Sequence, residues 1–151
     1  MIRTLLLLLA CSCAVLAQAQ TDADPVDWTI SHGSEGDAHA VLAEAKIADG
    51  WYVYSQFLGD GGPVPTTIDL TATEGLKALR TPEESGDKVS GFDSLFEMEV
   101  TKFKHFVAMT QAFTLPQNTE RVTGYLEYMA CTEKKCLPPQ TIDIDLSVAA
   151  N

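Results

Sequence analysis

The stretch "AVLAEAKIADGWYVYS", Ala40 to Ser55, decides between two kinds of fold. Its alanines favour helix, because alanine loses no side-chain freedom on helix formation. Yet Val41, Ala43, Ala45 and Ile47 alternate with Leu42, Glu44 and Lys46, and alternation places the first set on one face of a strand. The "ADG" at Ala48 to Gly50 then reads as a turn, and Trp51 to Tyr54 as an aromatic strand. The segment is therefore predicted to be a β-hairpin.

The same period spreads outward. "VDWTIS" sets Val26, Trp28 and Ile30 on one side, and "TTIDLTA" follows the loop "LGDGGPVP" at Leu58 to Pro65. A polar stretch from Thr81 to Gly91 is expected to be a second connection, leading into "FDSLFEMEV". In "VTKFKHFVAMTQAF" a face of Phe103, Val107, Met109 and Phe113 is interrupted by His105 and Gln111. Val122, Leu126 and Tyr128 share a side, as do Ile142, Ile144 and Leu146. Short alternating segments with turn residues between them and no convincing helix predict an all-β sandwich.

The chain opens on "MIRTLLLLLACSCAVLAQAQ", a single early charge, an apolar run and a small-residue ending. That pattern predicts a secretory signal over residues 1–19, a polar lead-in over 20–25 and one domain over 26–151. Within it "LLAC" also resembles a bacterial lipoprotein signal, which would make Cys11 a lipid anchor. Either route takes the domain out of the cytoplasm, to the periplasm or cell envelope. The formal net charge of −11 repels phosphate backbones and argues against a nucleic-acid partner.

Two of the four cysteines, Cys11 and Cys13, fall in the leader, which leaves Cys131 and Cys136 in "EYMACTEKKCLPPQT". In an oxidising compartment two such neighbours are expected to meet. A bond closing so short a loop stabilises by only about 2 kcal/mol in the chain-entropy model, so it makes a weak staple. Its Cα atoms are expected within the usual ~4.4–6.8 Å if Cys131 ends a strand and Cys136 starts the return. Lys134 and Lys135 favour a thiolate at Cys136, and Glu133 opposes them. Pro138 and Pro139 stiffen the chain beyond. A local brace and an exchanging pair both remain open on these grounds. A metal site is not expected, since His32, His39 and His105 form no ligand spacing with one another or with the cysteines.

"YMACTEKKCLPPQT" resembles the active-site segment of the N-terminal periplasmic domain of the thiol:disulfide interchange protein DsbD. "IADGWYVYS" is similar to that family's turn followed by alternating tyrosines, and "GFDSLFEMEVTKF" stands where the family carries an aromatic cap loop. The resemblance implies an immunoglobulin-like sandwich with protein-disulfide reductase or interchange activity and no cofactor. It implies Cys131 and Cys136 as the redox pair, with Cys136 forming mixed disulfides. Tyr52 and Tyr54 would wall the site, and Phe96, or alternatively Phe92, would cap it. The family's acidic residue before the cap phenylalanine is replaced by Leu95, with Asp93 three positions before Phe96. Four residues separate the cysteines here, against five in better-known members. The implied partners are thioredoxin-like periplasmic proteins and, with the chain ending at Asn151, a separate membrane electron donor. The reading that competes is an exported, non-enzymatic β-sandwich binding module with a structural disulfide.

Overall fold

A computed structural model describes residues 24–35 and 38–148. The expected leader, its Cys11 and most of the polar lead-in lie outside these residues. Among those described there are ten strands and no helix. One sheet contains β1 (Val26–Glu35), β2 (Ala38–Ile47), β3 (Tyr52–Tyr54), β5 (Lys77–Ala78), β6 (Glu83–Asp93), β7 (Met98–Thr114) and β9 (Ala130–Cys131). The other holds β4 (Thr67–Asp69), β8 (Arg121–Tyr128) and β10 (Gln140–Ser147), in the order β10-β8-β4.

All the pairings are antiparallel, and β7 organises the larger sheet. β2 runs along it from His39 opposite Phe113 to Lys46 opposite Phe106, while β3 meets it further on, with Val53 opposite Phe103. Because β6 pairs with these same parts of β7, it must take the opposite edge. So Ala40 to Ser55 is strand, as its alternation predicts, but it is not a hairpin. β2 already has β1 on its other edge and offers β3 none, so the two strands lie end to end along β7. The turn between them is closed by Trp51 N–H donating to the Ala48 carbonyl at 3.1 Å, with Gly50 at φ 81°.

The polar stretch from Thr81 to Gly91 is also corrected, since most of it belongs to β6. Nearly all of β6 is exposed, so its sequence carries no apolar alternation; pairing with β7 alone makes it a strand. The interruption at His105 marks a real irregularity. The β6–β7 register skips between Gly86 and Asp87, leaving His105 and Phe106 of β7 unpaired in that ladder, and His105 takes a left-handed φ of 59°. Its Nδ1 lies 2.5 Å from an Asp87 carboxylate oxygen, on the surface. Gln111 stays in the buried row because its amide donates to the carbonyls of Arg80 and Ala112 at 3.2 and 2.9 Å.

Between the sheets lies a core of Val41, Ala43, Ala45, Ile47, Val53, Phe103, Val107, Met109 and Phe113 against Val122, Leu126, Tyr128 and Ile144. Gly124 sits within the apolar row of β8 for a steric reason. A Cβ there would meet the Asp69 carbonyl oxygen and press on Leu70, so only glycine lets β4 approach β8. Gly124→Ala is expected to lower stability by about 2 kcal/mol, the usual cost of overpacking. An unchanged urea midpoint would show that β4 is free to shift.

Candidate functional site

Val53 faces the core, so its neighbours Tyr52 and Tyr54 face outward, yet all three are buried. A strand buried on both faces needs a second covering layer, and the register supplies it. Tyr52 lies opposite Cys131, Tyr54 opposite Lys102, and Val53 opposite both Ala130 and Phe103. Cys131, Tyr52, Tyr54 and Lys102 therefore share the outer face of the larger sheet, behind the core. Val100 and Met129 join the two tyrosines and Cys131 in a separate apolar cluster, covered by Leu58, Val64, Phe96, Met98 and Cys136.

Cys131 and Cys136 are joined by a disulfide. They stand directly opposite each other as an antiparallel bridge, flanked by Thr132 N–H to Lys135 carbonyl at 2.7 Å and Leu137 N–H to Ala130 carbonyl at 2.9 Å. The four residues between them thus form a tight β-turn hairpin, braced by the Thr132 hydroxyl accepting from the N–H groups of Lys134 and Lys135. The pair belongs to the close, non-hydrogen-bonded class of cross-strand neighbours. Its Cα separation of 4.0 Å is shorter than the range expected from sequence. The two sulfur-bearing residues differ in access: Cys131 is 0% exposed, whereas Cys136 is half-buried.

Phe96 meets Tyr54 edge to face, 5.9 Å between centroids at 88°, and Tyr54 meets Tyr52 in the same way at 5.5 Å. This is a preferred aromatic geometry. Phe92 is placed differently. On β6 it alternates with Asp93, which faces the site, so Phe92 points to the opposite side and is 65% exposed. Of the two phenylalanines that the sequence offers as a cap, Phe96 alone packs in the cysteine cluster.

Asp93, at the end of β6, is 3% exposed. One carboxylate oxygen accepts from the Leu95 N–H at 2.9 Å, which fixes the turn carrying Phe96. The other accepts from the Tyr54 hydroxyl at 2.9 Å and lies 3.4 Å from that of Tyr52, whose one proton goes to the Thr132 carbonyl at the shorter 3.0 Å. Lys102 Nζ stands 3.7 Å from Asp93, 3.2 Å from Glu133 and 3.8 Å from the centre of the Tyr52 ring.

These contacts set the protonation states. Burial pushes the Asp93 carboxyl upward, but the Leu95 N–H, the Tyr54 hydroxyl and the Lys102 ammonium outweigh it and hold the group below its ordinary value. Burial lowers Lys102, and the Glu133 carboxylate and Tyr52 together more than reverse this. Tyr54 is held far above the usual phenol range, first by burial and then by Asp93. The site at neutral pH thus contains a carboxylate, an ammonium and two neutral phenols.

Sequence pattern missed Lys102. In "TKFKHF" it alternates with the core residue Phe103, which reads as a solvent-facing position. The available signal was "YVY": a strand apolar on both faces requires that its outer neighbours also be covered.

The chain matches the family model for the N-terminal region of thiol:disulfide interchange protein DsbD over residues 18–148. No curated protein sequence matches it. Among solved structures it is similar to the DsbD N-terminal domain of Neisseria meningitidis in the reduced form, at 22% identity and a TM-score of 0.54. That match covers 80% of this chain and 85% of the other. It is also similar to the N-terminal periplasmic domain of ScsB from Proteus mirabilis, at 17% identity and a TM-score of 0.61, over 83% of this chain and 47% of the other. Both likenesses show the shared fold, the immunoglobulin-like sandwich that the family resemblance implies.

A depressed carboxyl stabilises the folded state above its unfolded pKa and loses that contribution as pH falls through the folded value. Asp93→Asn keeps one acceptor oxygen, turns the other into an NH2 donor and removes the charge, and is expected to cost on the order of 2 kcal/mol at neutral pH. It should also flatten the decline in urea stability below about pH 4, the ordinary aspartate range. Parallel profiles for variant and parent would show that the fold does not depress the Asp93 carboxyl.

Proposed function

This chain belongs to the DsbD N-terminal family, and we propose that it is an exported thiol:disulfide exchange domain of the periplasm or cell envelope. Family membership supports thiol:disulfide chemistry in general. The observation that supports the reading at particular residues is the asymmetric disulfide: one cysteine is fully buried with the tyrosines, the other half-buried at the edge of the cluster that Phe96 also packs against.

In this reading the reduced pair donates two electrons. The Cys136 thiolate attacks one sulfur of a partner disulfide, forming a mixed disulfide and releasing the partner's other sulfur as a thiolate, which takes a proton. The Cys131 thiolate then attacks Cys136, closing the intramolecular bond and releasing the partner's second thiol. The partner gains two electrons and two protons; a membrane-embedded dithiol donor restores the pair by the reverse exchange. No cofactor takes part. Thioredoxin-like proteins of the same compartment suit the role of partner, because they present a disulfide at an accessible edge.

Tyr52 and Tyr54 form the wall behind the sulfurs, Phe96 the lid, and Asp93 the support of the lid's turn. Exchange requires access to a sulfur, so a lid over the pair slows reaction with stray thiols until a docked partner moves it.

The competing reading, a binding module with a local brace, differs in the bond's potential. Structural disulfides typically lie below about −300 mV, and relay pairs lie above. Equilibration with glutathione and thioredoxin is expected to place Cys131–Cys136 above that value. With Cys131→Ala, Cys136 should accumulate a mixed disulfide with an oxidised thioredoxin-like protein, which Cys136→Ala abolishes. A bond resistant to both reductants, with no Cys136-dependent adduct, would leave the binding module as the better account.

A further inference from the structure

Lys102 is buried, charged and without a part in the exchange steps above. It stands on β7 across from Tyr54 and is only 8% exposed. Its three polar contacts belong to three different pieces of the site. Glu133, at 3.2 Å, lies in the turn between the two cysteines. Asp93, at 3.7 Å, roots the turn that carries Phe96. The Tyr52 ring, 3.8 Å beneath the ammonium, belongs to the side chain whose hydroxyl holds the Thr132 carbonyl.

A buried ammonium is tolerated only where opposite charge and hydrogen bonds replace its lost hydration. Lys102 draws that compensation from both turns at once, and the two carboxylates differ in freedom. Asp93 is fixed by the Leu95 N–H and the Tyr54 hydroxyl, while the Glu133 side chain is 67% exposed and can follow its turn outward. A partner reaching Cys136 must press on the turn that contains Glu133.

We propose that Lys102 is a positioning residue that ties the cap turn to the intercysteine turn, so that displacing Glu133 loosens the hold on Phe96. When Glu133 leaves, the ammonium gains by moving toward water, and Asp93 loses the cation that helped keep its turn in place. The lid is then released by the act of engaging the cysteine turn. The inference rests on the exchange reading for its purpose, but the tie itself operates without a partner.

The test uses the reduced full chain and iodoacetamide, an uncharged alkylating probe, across a pH series, with alkylation of Cys131 and Cys136 read separately from Cys11 and Cys13 by peptide mass. The high-pH plateau of the rate reports access to the thiols, and the midpoint reports their acidity, so opening of the lid separates from a charge effect on the sulfur. Glu133→Gln is expected to raise the plateau about tenfold, equivalent to about 1.4 kcal/mol of lid closure. Lys102→Met should raise it similarly and make a further Glu133→Gln change silent. A Glu133→Gln effect below about twofold, or one undiminished in the Lys102→Met background, overturns the proposal. Should Lys102→Met not fold, Asp93→Asn combined with Glu133→Gln decides: non-additive plateau rates support the tie and additive ones overturn it. Alkylation needs no partner disulfide, so loss of exchange with intact coupling would retire the exchange reading alone, and intact exchange without coupling would retire only this inference.

Discussion

Everything at the site depends on three residues, Tyr52, Val53 and Tyr54, being buried on both sides of one sheet. A strand in a two-sheet sandwich normally hides one face and wets the other. Here Val53 completes the sandwich core with Phe103, while the tyrosines require cover on the outside. That cover is assembled from separate parts of the chain: the cysteine hairpin, the turn before β7, and the loop that brings in Leu58 and Val64. The site is thus a second, smaller core built on the back of the first, and the packing of Phe96 there is a consequence of the strand it covers.

Apolar cover alone leaves the phenol hydroxyls without partners, and a buried hydroxyl without a hydrogen bond is expensive. Asp93 and the Thr132 carbonyl meet that need, one from the cap side and one from the cysteine side. Bringing in a carboxylate creates a further demand for positive charge, which Lys102 meets. The sequence of requirements runs from aromatic strand to hydroxyl, carboxylate and ammonium. Each step draws the cap turn and the cysteine turn closer together, so the polar network links the same two pieces that the aromatic packing links.

Alternation made the fold legible. Val41, Ala43, Ala45 and Ile47 outweighed the helical composition of their segment, because burial against Val107 and Met109 in a sheet decides more than intrinsic propensity. Pairing was less legible. Nothing local in Ala40 to Ser55 reveals that β1 occupies the edge a hairpin would need, and nothing in the polar run of β6 reveals its pairing with β7. At the site, the cysteines, tyrosines and Phe96 belong to a recognisable pattern. Lys102 escaped because a lysine in an alternating strand reads as solvent-facing, and its burial comes from residues about thirty positions downstream at Glu133 and nine upstream at Asp93.

The short separation of the cysteines gains a physical meaning from the hairpin. Four intervening residues let Cys131 and Cys136 sit directly opposite each other, so the bond crosses between neighbouring strands and closes almost no loop that the hairpin has not already closed. Its contribution to global stability is correspondingly small on chain-entropy grounds. Opening the bond leaves in place the flanking backbone hydrogen bonds of Thr132 and Leu137, the pairing of Cys131 with Tyr52, and the sandwich core on the other side of the sheet. A disulfide placed where the fold does not depend on it can change its redox state without unfolding the domain, which is the property that an exchanging pair requires and a staple does not.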